Sequence, residues 1–250
     1  NVRSRWHPDL SRFDSSWRPA EFNVRNGIIR EHMKSRLDTT LDLLHAASEA
    51  ALATFSVKLA GYPFATQVPF ASDAQHRPVV LISALAEHSR NLAANPRASL
   101  LVSTTMAEGE IARVTLTGEL HPVEPEPALV ARYLRYHPAA ERFLQLGDFG
   151  FRCFIASQIY VVGGFGQAGW LEADRLTRLP PIDYALERTL IEAATVTLRP
   201  DIRLLGIDAC GIDIMKDKHR LRRGFAEPLA DETSLRSATA TLIAALNAEE

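Results

Sequence analysis

The sequence predicts an α+β fold: antiparallel strands wound into a closed or nearly closed barrel with helices inserted between them, then a small α-β-β-β-α lobe. Three observations carry this. Five strand-like runs crowd between residues 53 and 120, the arrangement expected of a meandering sheet. In the last of them Ala112, Val114, Leu116 and Gly118 alternate with Arg113, Thr115, Thr117 and Glu119, the period of a sheet with one buried face and hence of antiparallel pairing. After Pro180-Pro181 the pattern changes to one helix, three short strands and a final helix. With 250 residues, 46% of them hydrophobic, and a formal net charge of −2, the chain can bury a sizeable core in one large domain or two small ones.

Taken in order, Asp38-Thr39-Thr40 offers a helix N-cap, and Leu41, Leu44, Ser48, Ala51 and Leu52 fall on one helical stripe behind it. Strands follow over 53–58, 63–72 and 78–83, the last two separated by the polar Asp73-Ala74-Gln75-His76-Arg77 of a hairpin loop. A short helix then breaks at Asn95-Pro96 before strands over 98–104 and 111–120. Residues 125–146 carry two helical stretches split at His137-Pro138, and a strand over 149–162 ends the barrel. In the lobe, 184–196 reads as a helix and 202–208, 211–216 and 221–225 as strands. Asp231 caps the last helix, whose stripe is Leu235, Ala238, Thr239, Leu242, Ile243 and Leu246. A core this thin should pack on the barrel.

Gly164-Phe165-Gly166-Gln167-Ala168-Gly169 satisfies the G-x-G-x-x-G pattern of dinucleotide sites, but its context does not. That fingerprint needs a helix opening on the glycines and a second parallel strand ending in an acid. Here Trp170-Leu171-Glu172 and the double proline follow instead, so the glycines are expected to give close approach to a ligand or a partner's backbone.

Composition excludes several classes. The balanced charge argues against a sequence-independent nucleic-acid partner, and no apolar run nears the 18 residues of a membrane span. Cys153 and Cys210 lie in apolar stretches without C-x-x-C spacing, which points to buried thiols in a cytoplasmic protein. His32, His45, His121 and His137 show no metal-ligand spacing, and His45 lies beside an apolar stripe as a packed or partly solvated side chain. No nucleophile elbow or Walker loop is present. Residues 1–32 hold six arginines without an apolar period or a signal-like segment, and are expected to form an arm outside the core.

The stretch GYPFATQVPFASDAQHRPVVLISALAEHSRNLAANPRASLLVS resembles the opening half of the FMN-binding split barrel of pyridoxamine 5'-phosphate oxidase and its relatives. The segment over 162–171 is most similar to the haem-utilisation branch of that superfamily, and Leu205-Gly206-Ile207-Asp208 with the run from Arg223 to Leu229 resembles its accompanying small domain. The resemblance implies a six-stranded antiparallel split barrel over 33–178 and a C-terminal α+β domain over 182–250. It also implies a homodimer with FMN or haem, a planar redox cofactor or tetrapyrrole, in the cleft between two barrels. If the chain is an enzyme, it is then an oxidoreductase, haem-degrading or flavin-dependent. A non-catalytic regulator of tetrapyrrole metabolism is the rival from another class, and fold alone does not separate them.

The resemblance also assigns candidate residues. His88, Ser89 and Asn91 stand where flavin-binding relatives hold the FMN phosphate, although Glu87 beside them has the wrong sign for a dianion. Thr66, Gln67 and Val68 match the strand that contacts the flavin ring, and Arg113 replaces a glutamine that touches it, a change that suits an acidic group such as a haem propionate. Ser83, Gln167 and Trp170 complete the cofactor-binding set. His219, in the cluster from Lys216 to Arg223, is the candidate haem ligand, set against the plain alternative of a polar hairpin connection.

Overall fold

The computed structural model describes residues 35–105, 111–163 and 168–249. Helix α1 (Arg36–Ala46) is capped by Ser35, whose hydroxyl accepts from the Asp38 amide at 3.2 Å while Asp38 reaches back to the Ser35 amide at 3.1 Å. Asp38 thus serves the third helical position, three residues inside the start that it was expected to mark. Ser48, Ala51 and Leu52 do not continue the helix: strand β1 (Glu49–Phe55) begins there, because Ala50, Leu52 and Thr54 also alternate inward. Pairing with strands on both sides decides between the two periods.

The barrel comprises β1, β2 (Pro63–Ser72), β3 (Pro78–Ser83), β4 (Arg97–Thr105), β5 (Ile111–Pro122) and β6 (Phe149–Val162), every pair antiparallel. Hydrogen bonding runs β3-β2-β1-β4-β5-β6 and closes between β3 and β6. One end of β6 makes that closure, Val79 opposite Cys153 through Ser83 opposite Phe149, and its other end pairs with an added strand, β7 (Ala168–Glu172). The chain therefore turns back on itself between Val162 and Ala168, and no Rossmann helix opens after the glycine motif. A side chain at Gly169 would meet the Arg36 guanidinium at 2.6 Å, so the clearance there is filled from within the chain. The core holds Leu52, Phe70, Val80, Leu100, Val114, Leu116 and Phe154, and the expected closed antiparallel barrel is what the chain forms.

Helix α2 (Glu87–Ala94) lies between β3 and β4, and α3 (Pro127–Tyr136) and α4 (Glu141–Leu144) between β5 and β6. A bulge shifts the β5–β6 register between Thr117 and Gly118, and a Cβ on Gly118 would lie 2.0 Å from the Ile155 carbonyl oxygen. Backbone cannot yield there as a side chain could. Gly118→Ala is expected to lower stability by about 1–3 kcal/mol, read as a shift of the urea midpoint.

After α5 (Asp174–Thr177) come α6 (Tyr184–Thr195), a sheet of β8 (Ile202–Asp208), β9 (Gly211–Lys216) and β10 (His219–Gly224), and α7 (Glu232–Ala248). Asp183 and Asp231 cap the two long helices, and Ile207, Ile212, Ile214, Leu190 and Ile243 share a second core. Strand β10 starts two residues earlier than its apolar pattern suggests. Asp217 and Lys218 adopt left-handed φ values of 49° and 67°, making a tight two-residue turn that pairs His219 directly with Lys216. Barrel and lobe belong to one compact unit, with α3 lying against β2 on one side and β8 and α6 on the other.

Candidate functional site

The pleat sorts the candidate residues onto two sides of the barrel wall. Along β2, Val68 is buried and Thr66 half-buried, whereas Gln67 is exposed on the outer face. Gln67 heads a cross-strand row, Gln67–Ala51–Leu101–Thr115–Tyr160–Trp170, spanning β2, β1, β4, β5, β6 and β7. Ala51, Leu101 and Thr115 fill its middle, and Trp170, 60% exposed, meets Tyr160 edge-to-face at 5.0 Å. Arg113 lies in the next row, opposite Ser103 and Val162, and is exposed. Gln167 falls outside the described residues.

Where this face meets the β9–β10 hairpin, a groove of ≈ 690 Å³ opens, within the range of small-molecule sites. Glu49, Gln67 and Ser103 line it from the barrel and Lys218, His219 and Arg220 from the lobe, over Ala51, Leu101 and Met215. Gln67 donates to Glu49. The Arg220 guanidinium donates to the main-chain oxygens of Ala47 (2.7 Å) and Tyr136 (2.9 Å) and rests over the Tyr136 ring, while its Nε is buried without a partner. Burial lowers its pKa, and among the described residues it forms no ion pair with a carboxylate. Its hydrogen bonds go to neutral partners, the Asp213 charge acts on it without direct contact, and Lys218 and Arg220 together outnumber the Glu49 carboxylate along the groove.

The second group of candidates gathers at the barrel end beneath α2. Ser89 donates to the Ser83 carbonyl at 2.6 Å, and Ser83 donates to Asp148 at 2.5 Å. Asn91 accepts from the Val57 amide at 2.9 Å and donates to Thr54 at 3.0 Å. These polar atoms tie α2 and the β1–β2 connection to the barrel. His88 differs: its Nδ1 lies 3.1 Å from the Thr66 hydroxyl, but its Nε2 is buried with no partner. Burial and, secondarily, the Arg152 charge lower its pKa, which favours the neutral ring. Arg90 is spent on Glu87 at 3.1 Å.

A third cluster, between barrel and lobe, escaped the sequence reading. His45 on α1 places Nδ1 2.7 Å from Asp213 and Nε2 2.9 Å from Nδ1 of His76, in the β2–β3 turn. Arg222 on β10 bridges Asp208 (2.8 Å) and Asp213 (2.7 Å), and the Tyr136 hydroxyl donates to Asp213 at 2.5 Å. On the far side Arg132 pairs with Glu187, which Arg135 also reaches at 2.7 Å. Burial alone would raise both aspartic pKa values, but the opposed charges of Arg222 and His45 outweigh it, holding Asp208 below the usual carboxylate range and Asp213 at about 2. Donor atoms of His45, His76 and Asp208 lie within 4.8 Å of one another, a metal-like grouping, yet both Asp208 oxygens are engaged by Arg222. A fixed guanidinium stands where a cation would compensate the charge. Two acids inside the otherwise apolar LLGIDACGIDI run were the signal in the sequence, since buried carboxylates require paired cations.

Comparison with known proteins agrees with this architecture. The family model described as "CREG, beta-barrel" matches residues 32–177. The chloroplastic non-canonical heme oxygenase HOZ of Arabidopsis thaliana is 36% identical over 119 residues, which cover 47% of this chain and 37% of that protein. The chain thus spans little more than a third of that relative's length. Among solved structures, the protein Atu2129 of Agrobacterium tumefaciens, of unknown function, superposes with a TM-score of 0.64 at 23% identity, over 81% of this chain and 92% of its own. The heme binding protein of Mycobacterium smegmatis gives 0.55 at 24% identity, over 87% and 99%. At these identities the two structures establish the fold alone. Among the described residues no helix is long and apolar enough to cross a membrane. With the family model covering more than half of its residues and all six barrel strands in place, the chain belongs to the CREG beta-barrel family, of the pyridoxamine 5'-phosphate oxidase-like split-barrel fold.

Proposed function

We propose that the groove between the barrel face and the β9–β10 hairpin binds haem, making this a haem-utilisation protein. The Arg220 guanidinium, hydrogen-bonded to main-chain oxygens and in no direct carboxylate pair, carries this reading, because such a cation is stabilised most by a ligand carboxylate brought beside it. The donor set fits the group: His219 offers an imidazole, Lys218 and Arg220 offer cations for two propionates, and Ala51, Leu101 and Met215 offer an apolar surface. The heme oxygenase name of the Arabidopsis relative points the same way. Bound haem would supply the redox chemistry of an oxidoreductase, and the chain's part is to orient the ring, oppose its carboxylates and limit water. A storage or regulatory protein would need the same groove without turnover.

The same proposal includes a homodimer. The outer row exposes Ala51, Leu101 and Trp170 beside Arg113, an apolar strip that a second copy would cover. An FMN reading keeps one specific support, the unpartnered His88 Nε2 near the Arg152 charge at the barrel end.

Absorbance titration of haemin and of FMN into the wild type, His219→Ala and Arg113→Ala tests the reading. The wild type is expected to shift the haemin Soret band, and His219→Ala to lose that shift. Arg113→Ala, an exposed contact beside the groove, is expected to change affinity less than about fivefold. A wild type that ignores haemin but holds FMN would replace the haem reading with the flavin one.

A further inference from the structure

Strand β10 serves two places at once. Arg220 and Arg222 project from the same side of it, the first beneath the groove and the second into the buried cluster between barrel and lobe. That cluster meets the barrel through His45 and His76. Their Nε2···Nδ1 contact of 2.9 Å is a hydrogen bond only while one of the two nitrogens lacks a proton. With both rings charged, two N–H groups would point at each other in a dry interior, and the bond would become a repulsion. The other His45 nitrogen is tied to Asp213, and Nε2 of His76 is buried with no partner. Asp208, the carboxylate grouped with the two rings, already has both oxygens engaged by Arg222.

We propose that the His45–His76 contact is an acid-sensitive latch: a second proton on the pair breaks it, loosens the β8–β10 sheet from α1 and the β2–β3 turn, and draws His219 and Arg220 out of the groove. The ligand site is thereby released as pH falls, a consequence that rests on the haem-groove reading above.

The groups around His76 set the direction of the effect. Burial lowers its pKa to about 3, opposed by Asp208 on β8 and assisted by His45 on α1, Arg222 on β10 and Arg132 on α3. Asp213 on β9, Tyr136 on α3 and Glu187 on α6 complete the buried set, and Asp73 and Arg77 pair with each other within the turn itself. Asp208 and Asp213 hold their charge to well below pH 4, so between pH 7 and pH 5 His76 is the group whose protonation separates the closed form from the open one. In the closed form His76 stays neutral; opened to water it regains the ordinary value of 6.5. The closed form is therefore favoured above about pH 6.5 and loses ground below it. One freed ring raises the opening constant about 25-fold between pH 7 and pH 5. His137, between Phe70 and Arg220, is likewise depressed, to about 4, chiefly by burial, and adds to the same trend.

Hydrogen exchange on the full chain without ligand tests this directly. Protection of peptides from 202–224, corrected for intrinsic exchange and divided by that of barrel peptides from 97–122, is expected to fall at least tenfold from pH 7 to pH 5. His76→Asn suits the left-handed φ of 60° at that position and removes the titrating group. It should leave a clearly weaker pH dependence. A ratio that stays constant in the wild type overturns the latch, as does a His76→Asn chain with the full wild-type dependence. Since no ligand is present, failure of the haem reading would appear only in the haemin titration and leave this result untouched.

Discussion

Replacing Arg222 with methionine should lower stability by about 3–5 kcal/mol, because it strips the shared cation from two buried carboxylates. For a chain of this size that corresponds to a fall in thermal midpoint on the order of 10 °C. The Arg222 side chain is 2% exposed and those of Asp208 and Asp213 1% each, so solvent screens neither the pairing nor its loss. The damage should begin in β8–β10, where both acids sit. Adding Asp208→Asn and Asp213→Asn to Arg222→Met should recover a large part of the loss, since a neutral cluster no longer needs the guanidinium. Calorimetry of the single and triple variants reads both effects. A single variant within about 1 kcal/mol of wild type would mean that water or local rearrangement replaces Arg222 at little cost.

Acid should weaken the protein well before its carboxylates protonate. His76 and His137 are held neutral in the folded chain, with pKa values near 3 and 4, while the unfolded chain takes up protons near 6.5. A depressed histidine contributes stability that is present above its unfolded value and lost as pH falls below it. From pH 7 to pH 5 each ring accounts for about 2 kcal/mol, and His88, lowered in the same direction, adds to them. Urea midpoints measured across that interval should fall steeply in the wild type and clearly less in a His76→Asn, His137→Gln double variant, which keeps the His88 share. Equal slopes in both chains would place the acid sensitivity elsewhere.

Most of the fold could be read from residue order because local signals agreed with global pairing. β2, β3, β6, β8 and β9 begin and end where their alternation and flanking turn residues predict. The mismatch at β1 has a physical origin: residues 48–52 satisfy a helical stripe and a strand alternation together, and only the arrival of β2 and β4 chooses between them. The apolar pattern predicts a shorter β10 because polar Arg220 and His219 do not look like strand, yet a left-handed turn at Asp217-Lys218 pins them into the ladder.

The site was legible only in pieces. Gln67 and His219 each stand out in the sequence, but no spacing in the chain reveals that they line one groove, since docking of the lobe creates it. Ser89 and Asn91 have the composition of ligand-binding residues, and the structure uses their polar atoms to anchor α2 and the chain after β1. His45 illustrates the hardest case. Beside an apolar stripe it reads as a packed side chain, and it is packed, at 1% exposure, but against an aspartate and a second histidine contributed by distant segments.

The buried acids of the lobe also bear on how the chain is made. Asp208 and Asp213 lie on the adjacent strands β8 and β9, and the next strand, β10, carries one of their partners, Arg222, while His45, His76 and Tyr136 come from segments synthesised earlier. Released from a ribosome N-terminus first, the barrel can complete its closure before β8 emerges, since β3 and β6 both precede it. The nascent three-stranded sheet then meets a finished surface bearing the groups its carboxylates need. The lobe assembles on a template, and the same sheet expressed without the barrel would carry one guanidinium for two buried charges.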